Sequence, residues 1–221
     1  MRRRAEPELM DDAEAADAYA LSDFSDVNQS FVDRLVEVAG LISRAKALDL
    51  GTGPGDIPLR VLPAQPGWSI VAVDASKPML ALARKAARRA HARPQVRWLL
   101  ADAKRTALPA HSFDVIFSNS ILHHVTDAGA LWREVKRLAK PGAAILFRDL
   151  SRPPSLAAAR RIVDRYGWVG PELMQRDYFN SLLAAWTPAE VRQQLRRAGI
   201  RALRVEMITD RHWDAWGRLD A

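Results

Sequence analysis

The sequence contains no cysteine among its 221 residues, and only 7% of them are aromatic. Disulfides and thiolate metal sites are therefore excluded, because both need the cysteine sulfur atom. No stretch approaches the ~18 apolar residues that a membrane-spanning helix requires. Residues Met1 to Glu6 lack the apolar segment of a signal peptide. These absences lead us to expect a soluble, cytoplasmic protein.

Repeats and low-complexity linkers are also missing. Basic residues outnumber acidic ones by 33 to 26, which gives a net charge of +7, and a basic chain raises the question of nucleic acid. Much of the excess lies in and just after one predicted helix, Pro78 to Ala90. These basic residues are Arg84, Lys85, Arg88, Arg89, Arg93 and Arg97. We interpret them as a solvated helix face, far from the ligand-binding edge of the sheet, and expect no nucleic-acid partner.

The most informative segment places three glycines at alternate positions, Gly51, Gly53 and Gly55. The apolar run before them, Ala45 to Leu50, predicts a buried parallel strand, and Ile57 to Leu62 predicts the start of a helix. Only glycine lets the backbone turn so tightly there and approach a ligand so closely. The pattern departs from the dinucleotide-binding G-x-G-x-x-G motif, because an aspartate occupies the place of its last glycine.

Polar side chains follow the next three predicted strands. These residues are Asp74 after Trp68 to Val73, Asp102 after Val96 to Leu100, and Asn119 after Phe113 to Phe117. A carboxylate at the first of these strand ends can accept both hydroxyls of a ribose. A carboxylate at the second can accept a hydrogen bond from the amine of an adenine ring. The sequence therefore predicts a nucleoside site.

Together these motifs resemble the class I S-adenosylmethionine-dependent methyltransferases, from about Ala45 to Leu150. The segments that carry the resemblance are Asp49 to Gly55, Asp74 to Leu80, Ala101 to Ala103, Phe113 to Asn119, and Leu138 to Ala143. The resemblance implies an α/β, Rossmann-like fold with helices on both faces and a small helical cap. Its mostly parallel, seven-stranded sheet would have the order 3-2-1-4-5-7-6, with an antiparallel pair as the last two strands.

The resemblance also implies S-adenosylmethionine as the cofactor. The residues assigned to it are Gly51 and Gly53 against its methionyl part, Asp74 on the ribose, Met79 on the adenine face, and Asp102 with the Ala103 amide on the adenine edge. Further contacts are expected from Thr52, Ala75, Asn119, Tyr19, Asn28 and Phe31. Ordinary structural roles remain as alternatives: the two aspartates as helix N-caps, the methionine as a core residue, and the glycines as a plain tight turn.

We expect a single domain with four parts. Residues 1–40 would form a helical lid, 41–150 the cofactor-binding core, 151–186 a substrate cap, and 187–221 a helix and a strand pair. The last helix should start at Thr187, because Thr187 and Glu190 form a capping-box pattern. The cap carries aromatic and acidic residues that suit either a pocket or an ordinary core. They are Tyr166, Trp168, Tyr178, Phe179, Trp186, Asp164, Glu172 and Asp177.

The catalytic candidates are His123 and His124, just past the fourth strand, and Asp149, after the fifth. A methyl group on a sulfonium is already reactive, so the protein must chiefly hold the acceptor in line with it and exclude water. Either histidine would act as a general base or as a hydrogen-bonding anchor, and Asp149 would orient the substrate. A metal site is not expected, since these three residues are a thin ligand set.

The acceptor is expected to be a small molecule that is methylated on oxygen, nitrogen or carbon. Amino-methylating enzymes of DNA and protein glutamine usually carry Asn-Pro-Pro-Tyr or Asp-Pro-Pro-Tyr after the fourth strand. Here the matching residues are Ser118 to Ile121, which makes a nucleobase amine a poor candidate. The alternatives are an RNA methyltransferase and a non-catalytic S-adenosylmethionine-binding regulator. Either a monomer or a homodimer is compatible with the sequence.

Overall fold

The structure is a computed structural model that describes residues 1–6, 13–20, 23–90, 95–166 and 172–220. The predicted cap residue Trp168 and the basic residue Arg93 lie outside these ranges. The same holds for the side chain of Glu172. Within the described ranges, no helix is both long and apolar enough to cross a membrane.

One seven-stranded sheet forms the centre of the molecule, with the strand order β3-β2-β1-β4-β5-β7-β6. The strands are β1 (Ala45–Leu50), β2 (Trp68–Asp74), β3 (Val96–Leu100), β4 (Phe113–Asn119), β5 (Ala139–Leu150), β6 (Arg204–Met207) and β7 (His212–Arg218). Strands β1 to β5 pair in parallel, whereas β7 pairs antiparallel with both β5 and β6. The predicted fold class and strand order are confirmed.

Helices cover both faces of the sheet because its central strands are apolar on both sides. The helices are α1 (Ala13–Ala20), α2 (Ser25–Ala39), α3 (Asp56–Ala64), α4 (Lys77–Arg89), α5 (Ala128–Leu138), α6 (Leu156–Tyr166), α7 (Glu172–Ala184) and α8 (Pro188–Arg197). In β5, Ala144 and Leu146 join the core with α2 and α3. Ile145 and Phe147 join the opposite core with α5 and α8. This alternation follows from the two-residue repeat of a strand.

Local sequence signals set two helix starts. The Ser76 hydroxyl accepts the Met79 N–H at 3.3 Å and caps α4. Thr187 and Glu190 form the predicted capping box at the start of α8. Each cap satisfies backbone N–H groups that have no partner within the helix, so the residue at which each of these helices begins is fixed.

Two central strands are longer than the sequence predicts. β4 continues to Asn119, which pairs with Arg148, and β5 continues to Leu150, which pairs with His212. Polar residues at strand ends look like loop residues in the sequence, but neighbouring strands on both sides supply their backbone partners. As a result, Asp149 lies inside β5, at the edge of the sheet where ligands bind in open α/β folds.

The cap packs at the end of β5 through a small apolar cluster. Leu150 contacts Ala159 of α6 and Leu182 and Leu183 of α7 in this cluster. The first six residues of the chain lie against the same region. The Arg3 guanidinium donates to the Ala184 and His123 carbonyl oxygens at 2.6 and 2.7 Å.

Candidate functional site

A cavity of about 1080 Å³ opens at the carboxyl ends of the parallel strands. Almost all of the predicted site residues line it. They are Tyr19, Asn28, Gly51, Thr52, Gly53, Asp74, Ala75, Met79, Asp102, Ala103, Asn119, His123 and His124. Asp149 is not one of the lining residues, since it is 1% exposed and lies behind His123. The structure therefore brings these residues together, while their roles toward a ligand stay predictions.

The three glycines of the turn after β1 have different surroundings. A Cβ atom at Gly51 would lie 2.6 Å from the Ile121 side chain, and one at Gly55 would lie 2.7 Å from the Trp98 ring. A Cβ atom at Gly53 would meet nothing within 4 Å. All three have positive φ angles, which disfavour side chains. Packing thus requires two of the glycines, and the third leaves an open cradle at the cavity wall.

Two polar side chains beneath this turn are buried without a partner. Among the described residues, a carboxylate oxygen of Asp49 and the Thr52 hydroxyl have no hydrogen-bond partner. Burial raises the pKa of Asp49 to about 7; the Thr52 hydroxyl, which lies close to this carboxylate without a well-formed hydrogen bond, opposes the rise, and the Asp74 carboxylate adds to it. Buried polar groups are normally hydrogen-bonded, so these atoms fit a ligand with polar groups of its own.

Asp74 and Asp102 do not cap helices, so the alternative interpretation of both residues is wrong. One Asp74 oxygen accepts the Gly53 N–H at 2.7 Å, and the other accepts the Ser76 N–H at 2.8 Å. Asp102 accepts the Lys104 N–H at 2.8 Å within a turn. The carboxylate of Asp74 therefore fixes the glycine turn and faces the same cavity.

Three further residues predicted to contact the cofactor, Met79, Asn119 and Phe31, lie in different surroundings. Met79 lines the cavity but is only 5% exposed, so it is a core residue as well. The Asn119 side-chain amide donates to Oδ1 of the Asn28 side chain at 3.1 Å, which ties β4 to α2. The expectation for Phe31 is wrong, because its ring is fully buried in the core against Phe117. Phe31 lies about one helical turn after Asn28, and the prediction placed both side chains on the same face of α2.

Tyr19 of α1 lies over the cavity. Its ring contacts Phe24 with centroids 4.9 Å apart. Burial raises the pKa of its phenol to about 12, with further contributions from the carboxylates of Asp149, Asp56 and Asp74. The hydroxyl therefore stays protonated near neutral pH and is available as a donor within an acidic environment.

The basic face of α4 is less remote than its sequence suggests. Lys85 and Arg89 line the cavity, together with Asp17 and Ala20 of α1. The cavity extends this far because α1 packs against α4. The expectation that this whole face lies far from the ligand edge is wrong for these two residues.

The two histidines belong to a compact polar cluster. His123 is 4% exposed, and its Nδ1 atom lies 2.5 Å from Asp149 Oδ1. Burial opposes a charge on this imidazole, but the Asp149 carboxylate outweighs it, so the pKa of His123 is raised. His124 stacks beside it, with ring centroids 4.1 Å apart. Asp149 therefore positions His123 instead of lining the cavity itself.

Glu6 also belongs to this cluster, and no sequence pattern predicts it. Glu6 Oε1 lies 3.1 Å from His124 Nδ1 and 3.6 Å from His123 Nε2. The Ser181 hydroxyl of α7 donates to the same carboxylate at 3.2 Å. Burial raises the pKa of Glu6, and the charge of His123 acts in the opposite direction. A single acid outside any periodic pattern cannot be assigned to a site before the tertiary contacts are known.

The cap contributes an aromatic wall with two kinds of residue. Tyr166 and Tyr178 line the cavity, whereas Trp186 is directed to the core, where its indole N–H donates to the Leu122 carbonyl at 3.1 Å. The Tyr178 hydroxyl is buried and unpartnered within the part of the chain that the structure describes. Burial raises its pKa to about 12. Tyr178 therefore adds an unpartnered hydroxyl to a wall that also contains Asp177 and Ser181.

These features define a Rossmann-like protein with a large cavity at the carboxyl edge of its sheet. Residues 48–147 match the family model described as a methyltransferase domain. Trans-aconitate 2-methyltransferase of Azoarcus sp. is 33% identical over 125 residues, which cover 57% of this chain and 47% of that protein. Demethylmenaquinone methyltransferase of Thermus thermophilus is 34% identical over 122 residues, covering 55% and 54% respectively. The chain thus spans about half the length of these relatives.

The comparison of structures extends over nearly the whole chain. A crystal structure of a SAM dependent methyltransferase from Aquifex aeolicus superposes with a TM-score of 0.71 and 22% identity. The match covers 94% of this chain and 98% of that one. The chain is therefore similar to methyltransferases in the sequence of residues 48–147, and to a SAM dependent methyltransferase in fold over nearly its whole length.

Proposed function

We propose that the protein transfers a methyl group from S-adenosylmethionine to a small-molecule acceptor. The observation that carries this proposal is the open cradle at Gly53, whose amide is held by the Asp74 carboxylate at 2.7 Å. A bare turn needs neither the open space nor the acid at the next strand end. The unpartnered Asp49 and Thr52 atoms below the cradle fit a ligand that has its own donors.

The cofactor would lie along the strand ends. In this proposal Gly51, Thr52 and Gly53 contact its methionyl part, and Asp74 and Ala75 hold the ribose. The adenine would bind between Met79, Asp102 and Ala103, with Asn119, Asn28 and Tyr19 closing the site. We name this part of the cavity, from Asp49 to Asn119 with Tyr19 and Asn28, the cofactor half. When bound, the sulfonium supplies a reactive methyl group, and the protein supplies position and exclusion of water.

The acceptor would bind on the other side of the cavity. We name this part the acceptor half; His123, His124, Tyr178 and Ser181 line it, and Glu6 belongs to it through its contacts with the two histidines. We propose that the histidines anchor the acceptor, because Asp149 holds His123 in one orientation at 2.5 Å. Residues 1–40 would act as a lid and residues 151–186 as the substrate cap. Relatives named for trans-aconitate and demethylmenaquinone support a small organic acceptor over RNA.

Cofactor binding is the first test. Calorimetry on the purified chain should give micromolar affinity for S-adenosylmethionine, about 8 kcal/mol. Replacing Asp74 by Ala should weaken binding tenfold or more, since the ribose and the Gly53 turn both lose their carboxylate. Asp33→Ala, which changes an exposed residue of α2, should leave the affinity unchanged. Binding of a nicotinamide dinucleotide in place of the sulfonium compound would contradict the proposal.

The acceptor can be found without guessing its structure. A metabolite extract incubated with the enzyme and isotopically labelled S-adenosylmethionine should yield a labelled small molecule, detected by mass spectrometry. The Asp74→Ala variant should yield much less of it. Cofactor binding with no labelled product from a broad acceptor panel would instead favour a regulator, and labelled RNA would favour the RNA methyltransferase.

A further inference from the structure

The cluster of Glu6, His123 and His124 has the spacing of metal ligands. Their three ligand atoms lie within 4.8 Å of one another, and the carboxylate oxygen is 3.1 and 3.6 Å from the two imidazole nitrogens. Two ligands that bind one tetrahedral ion at about 2.0–2.1 Å are themselves about 3.4 Å apart. One ion can therefore reach all three atoms after small side-chain shifts.

The groups behind the cluster hold its members in a ligating orientation. Asp149 binds Nδ1 of His123, which leaves Nε2 directed at Glu6. Carboxylates commonly orient metal-binding histidines in this way. The His123 backbone N–H also donates to Asp149, at 3.1 Å. Ser181 donates to both oxygens of Glu6, at 3.2 and 3.4 Å. Two of the three ligands thus have a fixed outer partner.

We propose that Glu6, His123 and His124 form a binding site for a divalent transition-metal ion such as Zn²⁺. Two imidazoles and one carboxylate are a donor set that suits such ions, and cysteine is not required. The sequence argument against a metal counted Asp149 as the third ligand, whereas Glu6 takes that place and Asp149 supports it.

The remaining coordination positions open toward the acceptor half, because both histidines line the cavity. Water or an oxygen atom of the acceptor completes the coordination there, which selects acceptors with a hydroxyl, carbonyl or carboxylate group near the methylated atom. This role in acceptor choice rests on the proposed function. The binding of the ion does not, because its ligands are separate from the cofactor half.

The site can be tested by counting bound metal. The full chain is stripped with a chelator, dialysed against Zn²⁺, and its zinc content measured by elemental mass spectrometry without any cofactor. We expect one ion per chain, bound with a dissociation constant of about 1 µM or lower. Glu6→Gln and His124→Ala should each weaken binding by about a hundredfold. His111→Asn is the matched control, because His111 is exposed and lies outside the cluster.

The zinc content of the variants decides whether the proposed metal site exists. Loss of zinc from both cluster variants, with one ion retained by wild type and His111→Asn, supports it. Equal zinc in wild type and both cluster variants overturns it, as does the absence of stoichiometric zinc in wild type. Thermal unfolding of the chelator-treated variants shows whether a loss of zinc comes from misfolding. Calorimetry with S-adenosylmethionine on the zinc-free chain tests the cofactor proposal independently.

Discussion

The two halves of the cavity are built in different ways. In the cofactor half, most candidate residues lie at or just after the end of a strand, as Asp74 ends β2 and Asn119 ends β4. In the acceptor half, Ser181 contacts Glu6 across 175 positions of sequence. Arg3 reaches the His123 carbonyl across 120. A parallel sheet aligns strand ends by itself, whereas the acceptor half exists only once distant segments have met.

This difference predicts that the two halves respond independently to mutation. Changes at the glycine turn should remove cofactor binding and spare the cap. Changes in the cap should alter acceptor use and spare cofactor affinity. A variant that damages both halves equally would show that the cavity is one coupled unit.

The largest effect is expected from Gly53→Val. A side chain at this position fills the open cradle, so affinity for S-adenosylmethionine should fall by about a hundredfold, or ~2.7 kcal/mol. Gly142→Val is the matched control, because Gly142 also has a positive φ and open space around its Cβ position but does not line the cavity. Calorimetry should show unchanged affinity in the control. Equal losses in both variants would mean that backbone strain, and not the cradle, is responsible.

A smaller effect is expected from Tyr178→Phe. This change should weaken acceptor binding without lowering the stability of the fold. Its hydroxyl is buried without a partner among the described residues, so removing it should leave the free energy of unfolding unchanged or raise it by about 1 kcal/mol. If the hydroxyl serves the acceptor, the Michaelis constant for the acceptor should rise about tenfold. Tyr166→Phe loses only an exposed hydrogen bond to Asp210 and should change neither quantity much. Unchanged acceptor kinetics in Tyr178→Phe would remove this residue from the acceptor half.

The smallest effect concerns the pH dependence of stability at Asp49. Burial raises its pKa to about 7, so between pH 4 and 7 the folded chain holds a proton that the unfolded chain has lost. The free energy of unfolding therefore falls as the pH rises through this window. Asp49→Asn removes this pH-dependent loss of stability. The substitution should therefore raise the free energy of unfolding by about 1 kcal/mol or more at pH 8 relative to its effect at pH 5. Denaturant unfolding at both pH values measures the difference, and a pH-independent effect would contradict the raised pKa.

The sequence was sufficient for the strand order and for residues that line one cavity at the strand ends. Strand periodicity located β1 and β3 to the residue, and Asp74 and Asn119 could be assigned because a strand end fixes where its side chain goes. Phe31 was misassigned because α2 has an apolar stripe whose rotation about the helix axis is set by packing against Phe117. Glu6 was missed because its contacts with His124 and Ser181 depend on how the first residues lie against α7.

The placement of Arg3 and Glu6 has a consequence for how the molecule is made. These residues leave the ribosome early, while the carbonyl oxygen that binds Arg3 at Ala184 is synthesised 181 positions later. Closing so long a loop carries an entropic cost, and the Arg3 contact that helps to offset it cannot form before Ala184 has been synthesised. The segments proposed to bind the cofactor all precede residue 120, so during synthesis they should be available for folding well before Glu6 can contact Ser181.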